Sequence, residues 1–319
     1  MLHTTGHAIG VFVHHLAAVR WQWLGLAVGC HLCKLLMASR AWRNIVAAAY
    51  RGRRVRWRTL FGAYVAGTGV NAVIPARGGD AVKLFLAKRR IEGATYTTLV
   101  ATILLQTLFD MVVAAGFVLW AIMLGVLPGL HVLPHLPSLD YGWAFRHPKL
   151  GLVLFVMLLL FGGLLLVWLA ERVEDFQRRI AQGFAAFAKR PYYFTRVVPF
   201  QVADWTLRLT TVFFFLRAFG IPATIHNALL VQVSQSLATI FPFSPAGIGT
   251  EQALLLYIFR HVTSRTSALS FSVGMRVTLI VVNATLGFGA ILVMLRTLRY
   301  GEVVEADRTA VANTKGQTP

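Results

Sequence analysis

The chain has 319 residues, 57% of them hydrophobic and 13% charged, with a formal net charge of +19. So apolar a composition excludes a disordered chain and points to a polytopic membrane protein. The positive balance does not mark a nucleic-acid binder, because the arginines fall in loops between apolar runs, as positive-inside topology requires.

Residues 1–20 read as an interfacial segment. No Lys or Arg occurs before Arg20, so the basic region of a cleavable signal is missing. His3, His7, His14 and His15 crowd this segment without a carboxylate or thiol beside them, which favours an interfacial role over a metal site. The first span is expected from Trp21 to Ala38. Cys30 and Cys33 share one face of it as packed small residues. A loop with Arg40, Arg43, Arg51, Arg53, Arg54, Arg56 and Arg58 follows, which places that side in the cytoplasm and the N-terminus outside.

Leu60 to Ile74 is apolar, PARGGD interrupts it, and Ala81 to Ala87 is apolar again. Lys88, Arg89 and Arg90 come next. Charge bias therefore favours a segment that enters the membrane, turns at Pro75–Gly79 and returns. Arms of this length reach about 15–24 Å into a core of about 30 Å. Leu99 to Leu124 then crosses outward, Leu127 to Lys149 forms an outer loop, and Leu150 to Ala170 crosses back. Glu171 to Arg196 is basic and reads as an amphipathic surface helix on the cytoplasmic side. Phe200 to Phe219 crosses outward, and Gly220 to Pro222 turns the chain. Ile225 to Phe259 is the second broken segment, interrupted at FPFSPAGIGTEQ. Leu269 to Leu295 crosses inward and stops at Arg296 and Arg299. The tail, residues 297–319, is cytoplasmic and is expected to be disordered from Gly301 on.

The fold class implied is an all-α polytopic membrane protein with two re-entrant, broken helical hairpins in an inverted repeat. Residues 21–296 form one transmembrane domain. Its halves, about 21–127 and 197–296, are linked by the span at 150–170. Each break carries a proline, then glycines, then an acid: Pro75, Gly78, Gly79 and Asp80 in one, Pro245, Gly247, Gly249 and Glu251 in the other. Helices broken near the midplane of an inverted repeat are a common way to place a transporter's substrate site. Irregular backbone at that depth is tolerated only where it is buried or lines a polar cavity.

The hairpins also carry a resemblance. Asn71, Pro75, Arg77, Asp80 and Lys83, then Asp110, SPAGIGTE at 244–251 and Arg276 resemble the membrane domain of the lysylphosphatidylglycerol synthase family, the flippase-like proteins. The resemblance runs from about residue 20 to 296. The sequence departs from the family in three places. A further N-terminal span is weak or missing, Gln106 and Thr107 stand where a Glu-Arg pair is usual, and Asn283 replaces a late proline. Synthases of the family add a soluble aminoacyl-transfer domain. Here the chain stops about 20 residues after the last span, so the resemblance implies lipid translocation without synthesis.

A charge at mid-bilayer costs about 2.5–3.5 kcal/mol on insertion scales, so each deep one needs a reason. Arg77, Asp80, Asp110, Arg208, Glu251 and Arg276, with Asn71, are the candidate substrate-binding residues, the arginines gripping a phosphate by paired donors. Each also has a structural reading. Asp80 and Glu251 suit helix caps, Asp110 and Arg208 a buried ion pair, Arg276 a partner for Glu251, and Asn71 a bond to backbone freed at the break. Gly78, Gly79, Gly247 and Gly249 serve the turns, and Lys83 reads as a snorkelling side chain. No catalytic residue, metal or cofactor is called for. The expected partner is a membrane lipid, and the expected place the plasma (inner) membrane. The function these features favour is a flippase-like transporter of a lipid or lipid-linked precursor. The alternatives are a non-catalytic membrane partner of a lipid-modifying enzyme, or an intramembrane enzyme acting on a lipid-linked substrate.

Overall fold

The computed structural model describes residues 19–74, 78–124, 174–240 and 250–315. Outside them lie the four N-terminal histidines, Pro75 and Arg77, the outer loop and the span Leu150–Ala170, and Pro245, Gly247 and Gly249. The described residues are helical without any β-strand. In chain order the helices are α1 (Trp21–Ala49), α2 (Trp57–Val73), α3 (Gly78–Lys88), α4 (Tyr96–Met123), α5 (Glu174–Gly183), α6 (Ala185–Ala188), α7 (Arg190–Arg196), α8 (Val198–Ala218), α9 (Ile225–Ile240), α10 (Thr250–Ile258) and α11 (Arg265–Lys315).

Among these, α1, α4 and the stretch Arg265–Arg296 of α11 are long and apolar enough to cross a membrane. With 21 residues, α8 reaches about 32 Å at 1.5 Å per residue, but Asp204, Arg208 and Arg217 interrupt its apolar character. It is packed along α1 and buries Asp204 and Trp205.

Three expectations are corrected. The first helix does not stop near Ala38 but runs on to Ala49. Nothing between Ser39 and Ala49 breaks a helix, and Trp42, Ile45 and Val46 are fully buried while Arg40 stays exposed. The chain turns only at Gly52, whose φ of 81° suits a residue without Cβ. The basic segment before α8 is three short helices rather than one, divided around Gly183 and again before Pro191. Lastly, α11 continues through the polar tail to Lys315, since no proline intervenes.

Helices α1 and α8 run antiparallel over their length. The Arg20 amide donates to the Ala218 carbonyl at 3.0 Å at one end, and the Tyr192 hydroxyl donates to the Asn44 carbonyl at 3.0 Å near the other. Helices α2 and α11 cross closely and also antiparallel. Gly69 lies on Gly287 and Gly62 on Met294, and a Cβ at any of these glycines would strike the facing helix or side chain. Small residues that let two backbones approach are how membrane helices gain packing energy without a hydrophobic drive between them.

The basic loops gather at one end of the molecule. There Arg53 pairs with Glu92 at 2.6 Å, Arg90 donates to the Met294 carbonyl at 3.1 Å, and Gln182 donates to the Ala49 carbonyl at 3.0 Å. An apolar core of Trp42, Val46, Leu60, Leu86, Leu99 and Met294 fills this end. A second core, with Val212, Phe215, Ile221, Ala228, Phe259 and Phe271, fills the other.

Candidate functional site

Polar and charged side chains come together between the two apolar cores. At the first break, α3 folds back on α2. The Asn71 carboxamide oxygen accepts from the Gly79 amide at 2.7 Å, and its nitrogen lies 3.5 Å from Asp80 Oδ1. Asn71 therefore bonds backbone freed at the start of α3, where the first four N–H groups have no helical partner. Asp80 sits in that first turn, where a carboxylate is favoured by the positive helix end.

Gly79 and Gly78 are not equivalent. A Cβ at Gly79 would collide with the Gly67 carbonyl oxygen and with Asn71, whereas one at Gly78 would only touch Ile74 at 3.4 Å. Gly79→Ala is expected to lower stability by about 1–3 kcal/mol through overpacking, while Gly78→Ala is tolerated. Thermal unfolding of the two purified variants checks this, and equal midpoints would refute the close crossing.

Lys83 does not snorkel. It is 6% exposed, with its ammonium 4.5 Å from the Trp42 ring centre and 4.6 Å from that of Tyr64. The two aromatic faces supply attraction that an interior cation would otherwise lack. The expected pair of Asp110 and Arg208 is likewise replaced. Asp110 accepts a 2.9 Å bond from the Trp205 indole, while Arg208 reaches Asp204, one turn back on its own helix, at 3.4 Å. The Arg208 guanidinium also lies 4.3 Å from the Trp205 ring centre, so Trp205 stands between the two predicted partners.

Sequence reasoning passed over Lys34 and Asp204. Lys34, on α1, lies within electrostatic reach of Arg208, Asp204 and Asp110. Tyr64 lies within electrostatic reach of Asp80 as well as of those three charges. Both omitted residues were open to the argument applied to the others, since each is an ionisable group inside a helix of spanning length. The i,i+4 spacing of Asp204 and Arg208 was a further readable sign. His31 is 6% exposed and shares a 2.8 Å hydrogen bond with Asn283, joining α1 to α11. The network on α1, α3, α4 and α8 thus sets Lys34, Lys83 and Arg208 against Asp80, Asp110 and Asp204. Such balance is what makes interior charge tolerable. Gln201 Nε2, Asp204 Oδ1 and Arg208 Nε are buried with no hydrogen-bond partner among the described residues.

The second break carries a separate group. Glu251, in the first turn of α10, is 4% exposed. One of its oxygens meets Arg276 of α11 at 2.6 Å, and the other accepts from Gln235 of α9 at 3.2 Å. The pairing of Arg276 with Glu251 is therefore present. The seven candidate residues do not form one cluster. Asn71, Asp80, Asp110 and Arg208 lie in or beside the first network, Glu251 and Arg276 form the second group, and Arg77 lies outside the described residues. The groups are connected along α11, where Arg276 and Asn283 stand two turns apart, close to one face.

No match was found among curated proteins or among solved structures. The family described as "Lysylphosphatidylglycerol synthase TM region" matches residues 6–287. That match takes in both helix pairs, the charged layer between the cores and all seven candidate residues. The chain is thus a membrane protein of the lysylphosphatidylglycerol synthase transmembrane-region family, a family related to lipid handling.

Proposed function

We propose that this protein is a flippase-like transporter that carries a lipid or lipid-linked precursor with an anionic or polar headgroup across the membrane. The observation that carries the reading is the pattern of helix packing. The first arm of each helix pair packs on the last long helix of the opposite half, α2 on α11 and α9 on α4. Within each half, α1 packs on α2 as α8 does on α9, and α3 on α4 as α10 does on α11. Helices α1 and α8 run antiparallel, which supports reading the two halves as an inverted repeat.

Helix length supports re-entrant hairpins. At 1.5 Å per residue, α2 and α3, with 17 and 11 residues, extend about 25 and 16 Å. With 16 and 9 residues, α9 and α10 extend about 24 and 14 Å. All four fall short of a hydrocarbon core of about 30 Å. Both ends of the α2–α3 pair lie at the basic end, which the positive-inside rule assigns to the cytoplasm. The α9–α10 pair starts and finishes beside the other apolar core. In this reading the two breaks approach the midplane from opposite sides, in a multi-pass protein of the plasma membrane, and their polar groups shelter a headgroup while the tails stay in lipid.

Transport of this kind changes the position of the substrate and not its covalent structure, so the chain is not read as an enzyme. Purified protein in liposomes is expected to move a labelled lipid between leaflets without altering its mass. Arg77→Ala is expected to slow that movement about ten- to a hundredfold, the equivalent of one charged hydrogen bond, with only partial rescue by Arg77→Lys, which cannot fork. Unchanged movement with Arg77→Ala would remove Arg77 from the site. A change in lipid mass would favour the intramembrane enzyme. No movement until a second protein is added would favour a membrane partner of a lipid-modifying enzyme, a reading to which the family's description as a synthase region lends weight.

A further inference from the structure

One face of α8 carries three buried polar atoms in a row. Gln201, Asp204 and Arg208 follow one another at i, i+3 and i+7, over a rise of about 10 Å. Gln201 is 2% exposed, and its carboxamide oxygen accepts from the Tyr193 hydroxyl at 3.3 Å, which leaves Nε2 without a partner among the described residues. Asp204 is 5% exposed, with Oδ2 at 3.4 Å from Arg208 and Oδ1 unmatched among those residues. The Arg208 guanidinium uses one terminal nitrogen on Asp204 and its face on the Trp205 ring, and its Nε is likewise unmatched there. Thr211, further along the same helix, shows the local solution open to a buried hydroxyl, since it donates to the Leu207 carbonyl at 2.7 Å. Buried polar atoms are nearly always hydrogen-bonded, and hydrocarbon offers none of the water that would serve the rest. Three such atoms on one helix face form half of a hydrogen-bonding pattern: donor, acceptor, donor. Lys34 of α1 lies within electrostatic reach of Asp204 and Arg208 and adds a cation beside that pattern.

We infer that this face of α8 takes a lipid headgroup that carries both a phosphate and a hydrogen-bond donor, either a hydroxyl or a primary ammonium. Phosphate oxygens supply the acceptors that Gln201 Nε2 and Arg208 Nε lack, while Arg208 and Lys34 supply the opposing charge. Asp204 Oδ1 accepts from the hydroxyl or ammonium. A choline headgroup matches only the phosphate half, because its quaternary nitrogen has no N–H and leaves Asp204 Oδ1 unpaired. A site built to bond such a group discriminates strongly against the analogue that lacks it. The inference rests on the transport reading for a headgroup's reaching this depth, and it adds the class of headgroup. Gln201 becomes a residue of the binding face, and Asp204 the one that sets specificity.

The test uses the full chain and three phospholipids with the same labelled acyl chain: phosphatidylglycerol, phosphatidylethanolamine and phosphatidylcholine. Movement between leaflets of proteoliposomes tests the transport reading. Retention on the detergent-solubilised protein, counted by native mass spectrometry, tests the class of headgroup. The glycerol and ethanolamine lipids are expected to be retained about tenfold or more better than the choline lipid. Gln201→Leu/Tyr193→Phe removes the amide together with the hydroxyl bonded to it. It is expected to weaken retention of the glycerol lipid about tenfold, with the unfolding midpoint in lipid-free detergent equal or higher, since replacing both partners of a bond by apolar groups is nearly neutral. A lower midpoint with retention unchanged is the result of a merely structural Gln201, and it overturns the inference. So does equal retention of the three lipids, or retention of none, which reduces the unmatched atoms to sites of buried water. Retention with the expected preference but no movement counts against transport and leaves the headgroup class standing. Should the paired variant not fold, Arg208→Lys keeps the charge opposite Asp204 and removes the Nε donor. Wild-type retention of the glycerol lipid in that variant likewise overturns the inference.

Discussion

Arg276→Ala is expected to lower the stability of the folded protein by about 3–5 kcal/mol, the usual cost of removing one partner of a buried ion pair. Glu251 is 4% exposed, and without Arg276 its carboxylate would retain only the Gln235 amide among the contacts described above. The loss reflects a stranded charge more than a missing attraction. Glu251→Gln/Arg276→Met should therefore recover most of it, because neither charge remains. Reversible unfolding in detergent of the wild type, Glu251→Gln, Arg276→Met and the double variant gives the coupling directly. If the double variant loses the sum of the two single losses, the pair does not act as a unit. The pair also ties α10 to α11 across the second break.

Asp204→Ala is expected to be comparably damaging, again by about 3–5 kcal/mol. Asp204 is 5% exposed and faces Arg208 directly and Lys34 electrostatically. Its removal leaves Lys34 and Arg208 with Asp110 as the acid closest in the network, and Asp110 already accepts from Trp205. Asp204→Ala/Arg208→Met removes one charge of each sign and should restore much of the stability. Asp204→Asn is the informative intermediate, since it keeps the shape and removes only the charge. If Asp204→Asn unfolds at the wild-type midpoint, the three-against-three balance of this layer has no energetic meaning.

Part of the site was legible because depth and charge are both written in the chain. Asp80 and Glu251 follow glycines within apolar runs, which announces a helix start. Arg276 and Glu251 were open to pairing on the same ground, and the pair is present. Asp110 and Arg208 show the limit of that reasoning. They stand near the middles of two different spans, and pairing them with each other passed over Asp204, four residues before Arg208 on the same helix. The fold instead inserts the Trp205 indole between them and supplies Asp204 from the same helix. Lys83 illustrates the same limit. A lysine near the end of a short returning helix has a stem long enough to reach the interface, and only the placement of Trp42 and Tyr64 beside it makes an inward direction favourable.

The sequence by itself determined that this is an all-helical membrane protein and that two apolar segments are interrupted by glycine and an acid. These properties follow from local quantities: the apolar length of a run, the charge at its ends, and the residues able to break a helix. The tertiary structure alone decided which charges meet. A contact between α1 and α8, or between α2 and α11, joins residues hundreds of positions apart, and its geometry rests on small residues such as Gly69 and Gly287 that let backbones touch. Periodicity within one helix carries no information about which face of another helix it will meet. For that reason the place of Trp205 between Asp110 and Arg208, and of Trp42 and Tyr64 around Lys83, became visible only once the helices were packed.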